Sequence, residues 1–177
     1  MKSLFHKKLA YSDEDVASFH WAAMEGDVGK LRLCLEKGVP IDIQNSKLQY
    51  NTALVLASAK GKVDAVRFLV DQGASLSGAL RSATYNNHEN TARFLVTAGG
   101  DPNEQDEGGC SAVWWSVGRG YYELLRLLVL AGGDIALTNK ENVSPLDEAQ
   151  RIPNKENKER MLAFLTTEAP SLTHRGG

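Results

Sequence analysis

The sequence has little cysteine and no long apolar run. Its two cysteines, Cys34 and Cys110, are too few for the disulfide framework of a small secreted domain. No apolar run approaches the roughly 20 residues that a membrane-spanning helix needs. The first eight residues, Met-Lys-Ser-Leu-Phe-His-Lys-Lys, carry charges that break up any signal-like segment. We expect a cytoplasmic chain, although a signal removed before Met1 would leave the same sequence.

An excess of charge of one sign is also lacking. The 177 residues include 20 lysines and arginines and 22 acidic residues, which gives a net charge of −2. Nucleic acids and anionic membranes attract proteins through basic excess. We therefore expect neither as a partner. Apolar residues make up 42% of the chain, enough to build the core of a folded domain.

A repeated pattern fills most of the chain. Four Leu-, Val- or Phe-rich segments each run into a glycine, and these glycines are Gly38, Gly73, Gly99 and Gly132. A segment rich in small apolar residues opens each unit, and a turn such as Lys60-Gly61-Lys62 usually follows it. We interpret each unit as two helices, the second ending at its glycine. Asn87 replaces the turn glycine in the third unit, since asparagine also tolerates a left-handed backbone.

The opening and closing segments resemble the ankyrin repeat. Phe19-His20-Trp21-Ala22-Ala23 and Ser144-Pro145-Leu146-Asp147 are similar to its Thr-Pro-Leu-His-x-Ala-Ala signature, and Gly100-Asp101-Pro102-Asn103 to its Gly-Ala-Asp-Val-Asn signature. The resemblance covers about residues 16–165. It implies an all-α ankyrin-repeat solenoid of about five helix-turn-helix repeats, joined by short β-hairpin fingers. Stacking then buries an apolar face that one helix pair cannot cover.

The domain boundaries follow from this phase. We predict an N-terminal leader and cap over residues 1–15, one repeat domain over 16–170 and a tail over 169–177. The repeats are expected at about 16–45, 50–77, 78–104, 109–137 and 142–168. Ser12 to Asp15 is typical of a helix capping box, and the charged stretch from Asn154 to Arg160 suits the outer face of a terminal repeat.

One finger is predicted to be missing. Only 26 residues separate Gly73 from Gly99, where the family period is about 33. Unit two instead has a longer finger around Gln44–Asn51. We expect a notch beside this long finger, which a partner element could enter.

No catalytic or metal-binding constellation is apparent. The two cysteines lie about three units apart, and stacked helices are separated by about 8–10 Å, more than the roughly 7 Å that a disulfide spans. We therefore expect free thiols and a reducing compartment. Because no ligand constellation is apparent, we also expect no metal and no cofactor. The resemblance assigns His20 a structural role in tying adjacent loops. Trp115 is expected to point into the core.

The resemblance places ligands on the concave side, which is formed by the fingers and the exposed faces of the first helices. Trp114 stands at the histidine position of the signature and is expected to lose that residue's hydrogen bonds. Buried aromatic residues and arginine dominate binding energy in many interfaces. The predicted partner-binding residues are Lys47, Tyr50, Lys60, Tyr85, Asn86, Gln105, Glu107, Trp114, Arg119, Lys140 and Arg151.

These observations predict a non-enzymatic module that binds a protein partner and is a monomer on its own. One alternative is an inhibitor or immunity protein that blocks one specific enzyme. A self-associating adaptor is another. A catalytic or small-molecule-binding protein needs a closed pocket with convergent polar groups, for which the sequence offers no pattern.

Overall fold

The computed structural model describes residues 11–45 and 51–169. Ten α-helices occupy these ranges: α1 Asp13–Glu25, α2 Val28–Glu36, α3 Ala53–Ala59, α4 Val63–Asp71, α5 Ala79–Tyr85, α6 Glu89–Thr97, α7 Ala112–Gly118, α8 Tyr122–Leu130, α9 Pro145–Gln150 and α10 Lys155–Ala163. A π-helical segment, Phe164–Glu168, continues the last helix. The leader at residues 1–10 and the tail at 170–177 lie outside the described residues.

Successive helices pair and stack, as the repeat predicts. The first helices α1, α3, α5, α7 and α9 form one layer. The second helices α2, α4, α6 and α8 form the other, and α10 pairs with α9 at its end. Leu31, Leu69, Leu95 and Leu128, one from each of four second helices, are fully buried between the layers. They belong to one continuous core that runs the length of the stack. Among the described residues, no helix is long and apolar enough to cross a membrane.

The turns within repeats have the backbone that their residues indicate. Asn87 has φ 59°, so the predicted asparagine does occupy a left-handed position. Ser12 caps α1 in a capping box with Asp15, which confirms the N-terminal signature. Asn154 caps α10 through the backbone N–H of Asn157.

The fingers are mainly turns. The described residues contain one isolated antiparallel bridge, between Asn45 and Asn51 at the base of the long finger, and no longer strand. Neighbouring fingers pack closely, since the Lys140 N–H donates to the Gly108 carbonyl over 2.9 Å. Gly109 has φ 79°, and a side chain there would come within 2.7 Å of the Lys140 nitrogen. The contact between these two fingers therefore depends on glycine.

The predicted gap between repeats two and three is present. Only residues 72–78 connect α4 to α5, whereas residues 98–111 connect α6 to α7. Carboxylates from both neighbouring fingers hold this short connection. Asp42 accepts from the Ser75 N–H over 2.9 Å, and Glu104 accepts from the Gly78 N–H over 2.8 Å. The missing finger thus leaves an ordered notch.

Candidate functional site

The most distinctive part of the concave side extends from the third to the fifth repeat. An open groove of about 760 Å³ is bounded by α7 and by the fingers on either side of it. A smaller recess of about 260 Å³ continues from it towards the notch. Arg81, Asp106 and Trp115 border both. We call this combined surface the aromatic groove. Tyr85 and Trp114 complete its aromatic lining, and Arg119 lies beside it, over the Tyr85 ring.

Trp115 is exposed to the groove, and the prediction that it points into the core is wrong. The buried residues of α7 are Ala112, Val113, Ser116 and Val117. That spacing defines the inward face of a helix, so Trp114 and Trp115 fall on the other face. Trp21 occupies the position equivalent to Trp115 in the first repeat and is 60% exposed. Both residues stand at the variable position of the Thr-Pro-Leu-His-x-Ala-Ala signature, and that position was the available signal.

Trp114 replaces the signature histidine but retains a hydrogen bond to the next finger. His20 brings its Nε2 to 2.9 Å from the Ile43 carbonyl oxygen, and this contact confirms its loop-tying role. In the fourth repeat, Trp114 Nε1 donates to the Val143 carbonyl over 3.2 Å. The expectation that tryptophan loses the histidine's hydrogen bonds is therefore wrong for the bond to the next finger, because an indole N–H is also a donor.

The aromatic rings pack edge to face. The Tyr85 and Trp115 centroids are 4.8 Å apart with planes at 82°, and the Trp114 and Trp115 centroids are 5.1 Å apart with planes at 85°. Arg119 lies over the Tyr85 ring, with its Cζ 3.9 Å from the ring centroid. Such stacking orients the guanidinium while leaving its N–H groups available for an acceptor.

Asp106 links the finger to the helical floor of the groove. Its Oδ1 accepts from the backbone N–H groups of Gly108 and Cys110, each over 2.9 Å. Its Oδ2 accepts from Trp115 Nε1 over 2.9 Å and lies 4.0 Å from Arg81 Nε. Sequence reasoning missed both Asp106 and Arg81. Arg81 stands at the signature histidine position of the third repeat, and that substitution was the available signal.

Other predicted residues have local roles. Gln105 donates to the carbonyls of Gly109 and Thr138 and so ties adjacent fingers together. Asn86 donates to the Ser82 carbonyl over 2.9 Å. Arg151 forms an ion pair with Glu148, with its Nη1 3.3 Å from the Glu148 Oε2.

Three further predicted residues are at the surface. Lys60, Glu107 and Lys140 are exposed, and Lys60 lies at the C-terminus of α3, away from the aromatic rings. Lys47 and Tyr50 lie outside the described residues. Ring contacts through Trp115 and the stacking of Arg119 bring Tyr85, Trp114 and Arg119 together. Glu107, Lys140 and Arg151 line the same groove.

Cys110 lies beneath the groove and is buried, as is Cys34, and both are free thiols. Burial and the nearby charge of Asp106 raise the pKa of the Cys110 thiol. Because the thiolate is the nucleophilic form, this environment lowers its reactivity. Within residues 11–45 and 51–169, no group of three or more histidine, cysteine, aspartate or glutamate residues is arranged to hold a metal ion.

Comparison with known proteins agrees with the repeat geometry. Residues 19–106 match the family model for ankyrin repeats in three copies. The chain is 32% identical over 114 residues to the B-cell lymphoma 3 protein homolog of Mus musculus, covering 60% of this chain and 25% of that protein. It is 27% identical over 135 residues to a putative ankyrin repeat-containing protein of Treponema pallidum (strain Nichols), covering 72% of this chain and 45% of that protein.

A third relative is the inactive serine/threonine-protein kinase TEX14 of Mus musculus, 31% identical over 118 residues, or 62% of this chain and 8% of that protein. The chain thus spans less than half the length of each of these three relatives. The matched segment, the similarity to these proteins and the stacked helix pairs lead to one assignment. The chain belongs to the ankyrin-repeat family, whose repeats generally mediate protein–protein interaction and are generally not catalytic.

Proposed function

We propose that the chain is a non-enzymatic binding module and that it holds a protein partner on its concave side, with the aromatic groove as the centre of the contact. The observation that carries this proposal is the cluster of Tyr85, Trp114, Trp115 and Arg119 around an open groove. Aromatic residues and arginine are the side chains that most often dominate the energy of protein interfaces.

The rings in this cluster are only partly covered by the protein itself. Tyr85 is 39% exposed, and Trp114 and Trp115 are half-buried. Ring surface that the core does not cover can still be removed from water, with a gain of about 25 cal/mol per Å² of apolar area. The cluster is also held in place by Asp106 and Val143, so little side-chain entropy is lost when a partner binds.

Photocrosslinking from two matched positions would test this proposal. A photoreactive amino acid replaces Asn86, which is exposed at the end of α5, or Asn90, which is exposed on α6 in the outer layer. In extracts of the native host, we expect a specific protein adduct from position 86 and none from position 90. Equal adducts from both positions, or none from position 86, would contradict the proposal.

A quantitative test uses the captured partner. Trp115→Ala and Tyr85→Ala should each weaken its binding about tenfold or more, as measured by calorimetry, while the far-ultraviolet circular dichroism stays that of the unmodified chain. Unchanged affinity in both variants would place the contact elsewhere. If the captured partner is an enzyme, an assay of its turnover with and without the chain tests the inhibitor alternative.

A further inference from the structure

We infer that the aromatic groove receives a single polypeptide segment from the partner, with a carboxylate that pairs with Arg119 and an apolar side chain that packs on Trp115. This inference rests on the proposed function, and it adds the chemistry of the partner. Its support comes from the hydrogen-bond donors already used in the groove, from the balance of charge in the smaller recess and from the missing finger.

The tryptophans offer ring surface and no free donor. Trp114 Nε1 is bonded to the Val143 carbonyl, and Trp115 Nε1 is bonded to Asp106. An incoming polar group that displaced either bond would leave a partly buried acceptor without its donor, which is unfavourable. The rings therefore favour an apolar partner side chain at this position.

In the smaller recess, which Tyr85 and Trp115 line, the charge favours an anion. Two guanidinium groups, Arg81 and Arg119, flank these rings, and one carboxylate, Asp106, lies among them. The larger part of the groove is more acidic, because Glu107, Glu141 and Glu148 also line it. Asp106 already accepts three hydrogen bonds. Arg119 is exposed and makes no ion pair with any residue in the described ranges, 11–45 and 51–169. A partner carboxylate would provide the acceptor that this stacked guanidinium lacks.

A cationic partner group is disfavoured at the same place. An ammonium attracted to an aromatic ring needs access to the face of that ring, and Arg119 already covers one face of Tyr85 at 3.9 Å. The exposed carboxylates Glu107 and Glu141 lie on the fingers, which lead into the N-terminal ends of α7 and α9. Arg119 lies at the opposite, C-terminal end of α7. Any basic residues of the partner are therefore expected on the finger side of the groove.

The missing finger gives a segment access to this surface. Residues 72–78 connect α4 to α5 directly, so repeat three has no finger of its own in front of Ser82 and Tyr85, and the described parts of the neighbouring fingers border this recess only at Asn51 and Asp106. In an extended segment, residues two apart point the same way at a separation of about 6.6 Å. Arg119 and Trp115 contact the same Tyr85 ring, with separations of 3.9 Å and 4.8 Å from its centroid. We therefore expect the carboxylate and the apolar side chain to be about two residues apart.

The test is selection from a displayed library of random 12-residue segments on the purified chain. We expect enrichment of segments with aspartate or glutamate two positions from leucine, isoleucine or an aromatic residue. The selected segments are then measured against Arg119→Glu and the matched variant Arg67→Glu. Arg67 is also stacked on an aromatic ring, with its Cζ 4.5 Å from the Phe94 ring centroid, but it lies in the outer layer.

Arg119→Glu should weaken the selected acidic segments about tenfold or more, and Arg67→Glu should leave their affinity within twofold, as measured by fluorescence polarisation. Enrichment of basic or uncharged segments, no enrichment at all, or equal effects of the two variants would overturn the inference. If the selected segments have no acidic bias but bind Trp115→Ala more weakly, the inference is overturned and the proposed function is not. The groove would then still be a binding site. The photocrosslinking experiment decides the proposed function separately.

Discussion

Arginine stacks on an aromatic ring on both sides of the solenoid, with different consequences. In the outer layer, Arg32 lies over Phe68 and Arg67 over Phe94, so that each pair joins neighbouring repeats. On the concave side, Arg119 of repeat four lies over Tyr85 of repeat three in the same way.

The two sides differ in what surrounds the stacked pair. Phe68 and Phe94 are half-buried and pack against the continuous core. Tyr85 instead adjoins two further rings at an open groove. The comparison indicates that an arginine stacked on a ring is a contact between repeats. A candidate binding surface requires, in addition, partly exposed aromatic rings next to the stacked pair.

The largest expected effect tests the core beneath both sides. Leu128 is fully buried on α8, and Leu128→Ala should lower the free energy of unfolding by about 2–5 kcal/mol because it leaves a cavity. Leu130 lies on the same helix and is 63% exposed, so Leu130→Ala should change that free energy by less than about 0.5 kcal/mol. Urea denaturation followed by circular dichroism measures both. Similar losses in the two variants would contradict the described inward face of α8.

An intermediate effect is expected at the finger of the groove. Asp106→Ala removes the acceptor of three hydrogen bonds and should lower the free energy of unfolding by about 1–3 kcal/mol. The adjacent Glu107 is exposed, so Glu107→Ala should stay within about 0.5 kcal/mol of the unmodified chain. Thermal denaturation of the two variants side by side measures the difference. Identical melting curves would mean that Asp106 does not hold the finger.

The smallest change in stability is expected at the two stacked arginines, which should differ instead in their effect on binding. Arg67→Gln and Arg119→Gln should each lower the free energy of unfolding by about 0.5–1 kcal/mol, because each removes an exposed cation–π contact. Only Arg119→Gln should weaken binding of the partner captured by photocrosslinking. Denaturation gives the first quantity and calorimetry the second. Equal losses of affinity would remove the distinction between the outer and concave sides.

Local patterns were sufficient for the architecture. Each repeat carries its own helix-ending glycine, turn and apolar spacing, and each packs mainly on its neighbours. The number of helix pairs, the left-handed Asn87 and the gap after Gly73 could therefore be predicted without long-range information. The error at Trp115 was the assignment of a residue to the wrong face of a correctly predicted helix. The buried residues of α7 are on the opposite face.

The stack of helix pairs and the notch follow from the sequence, because each repeat carries its own glycines, turn and apolar spacing. The sequence did not reveal that Arg81 of the third repeat, Asp106 of the following finger and Trp115 of the fourth repeat meet at one surface. These contacts depend on how far each side chain reaches across the stacked repeats. No periodicity within one repeat encodes that distance.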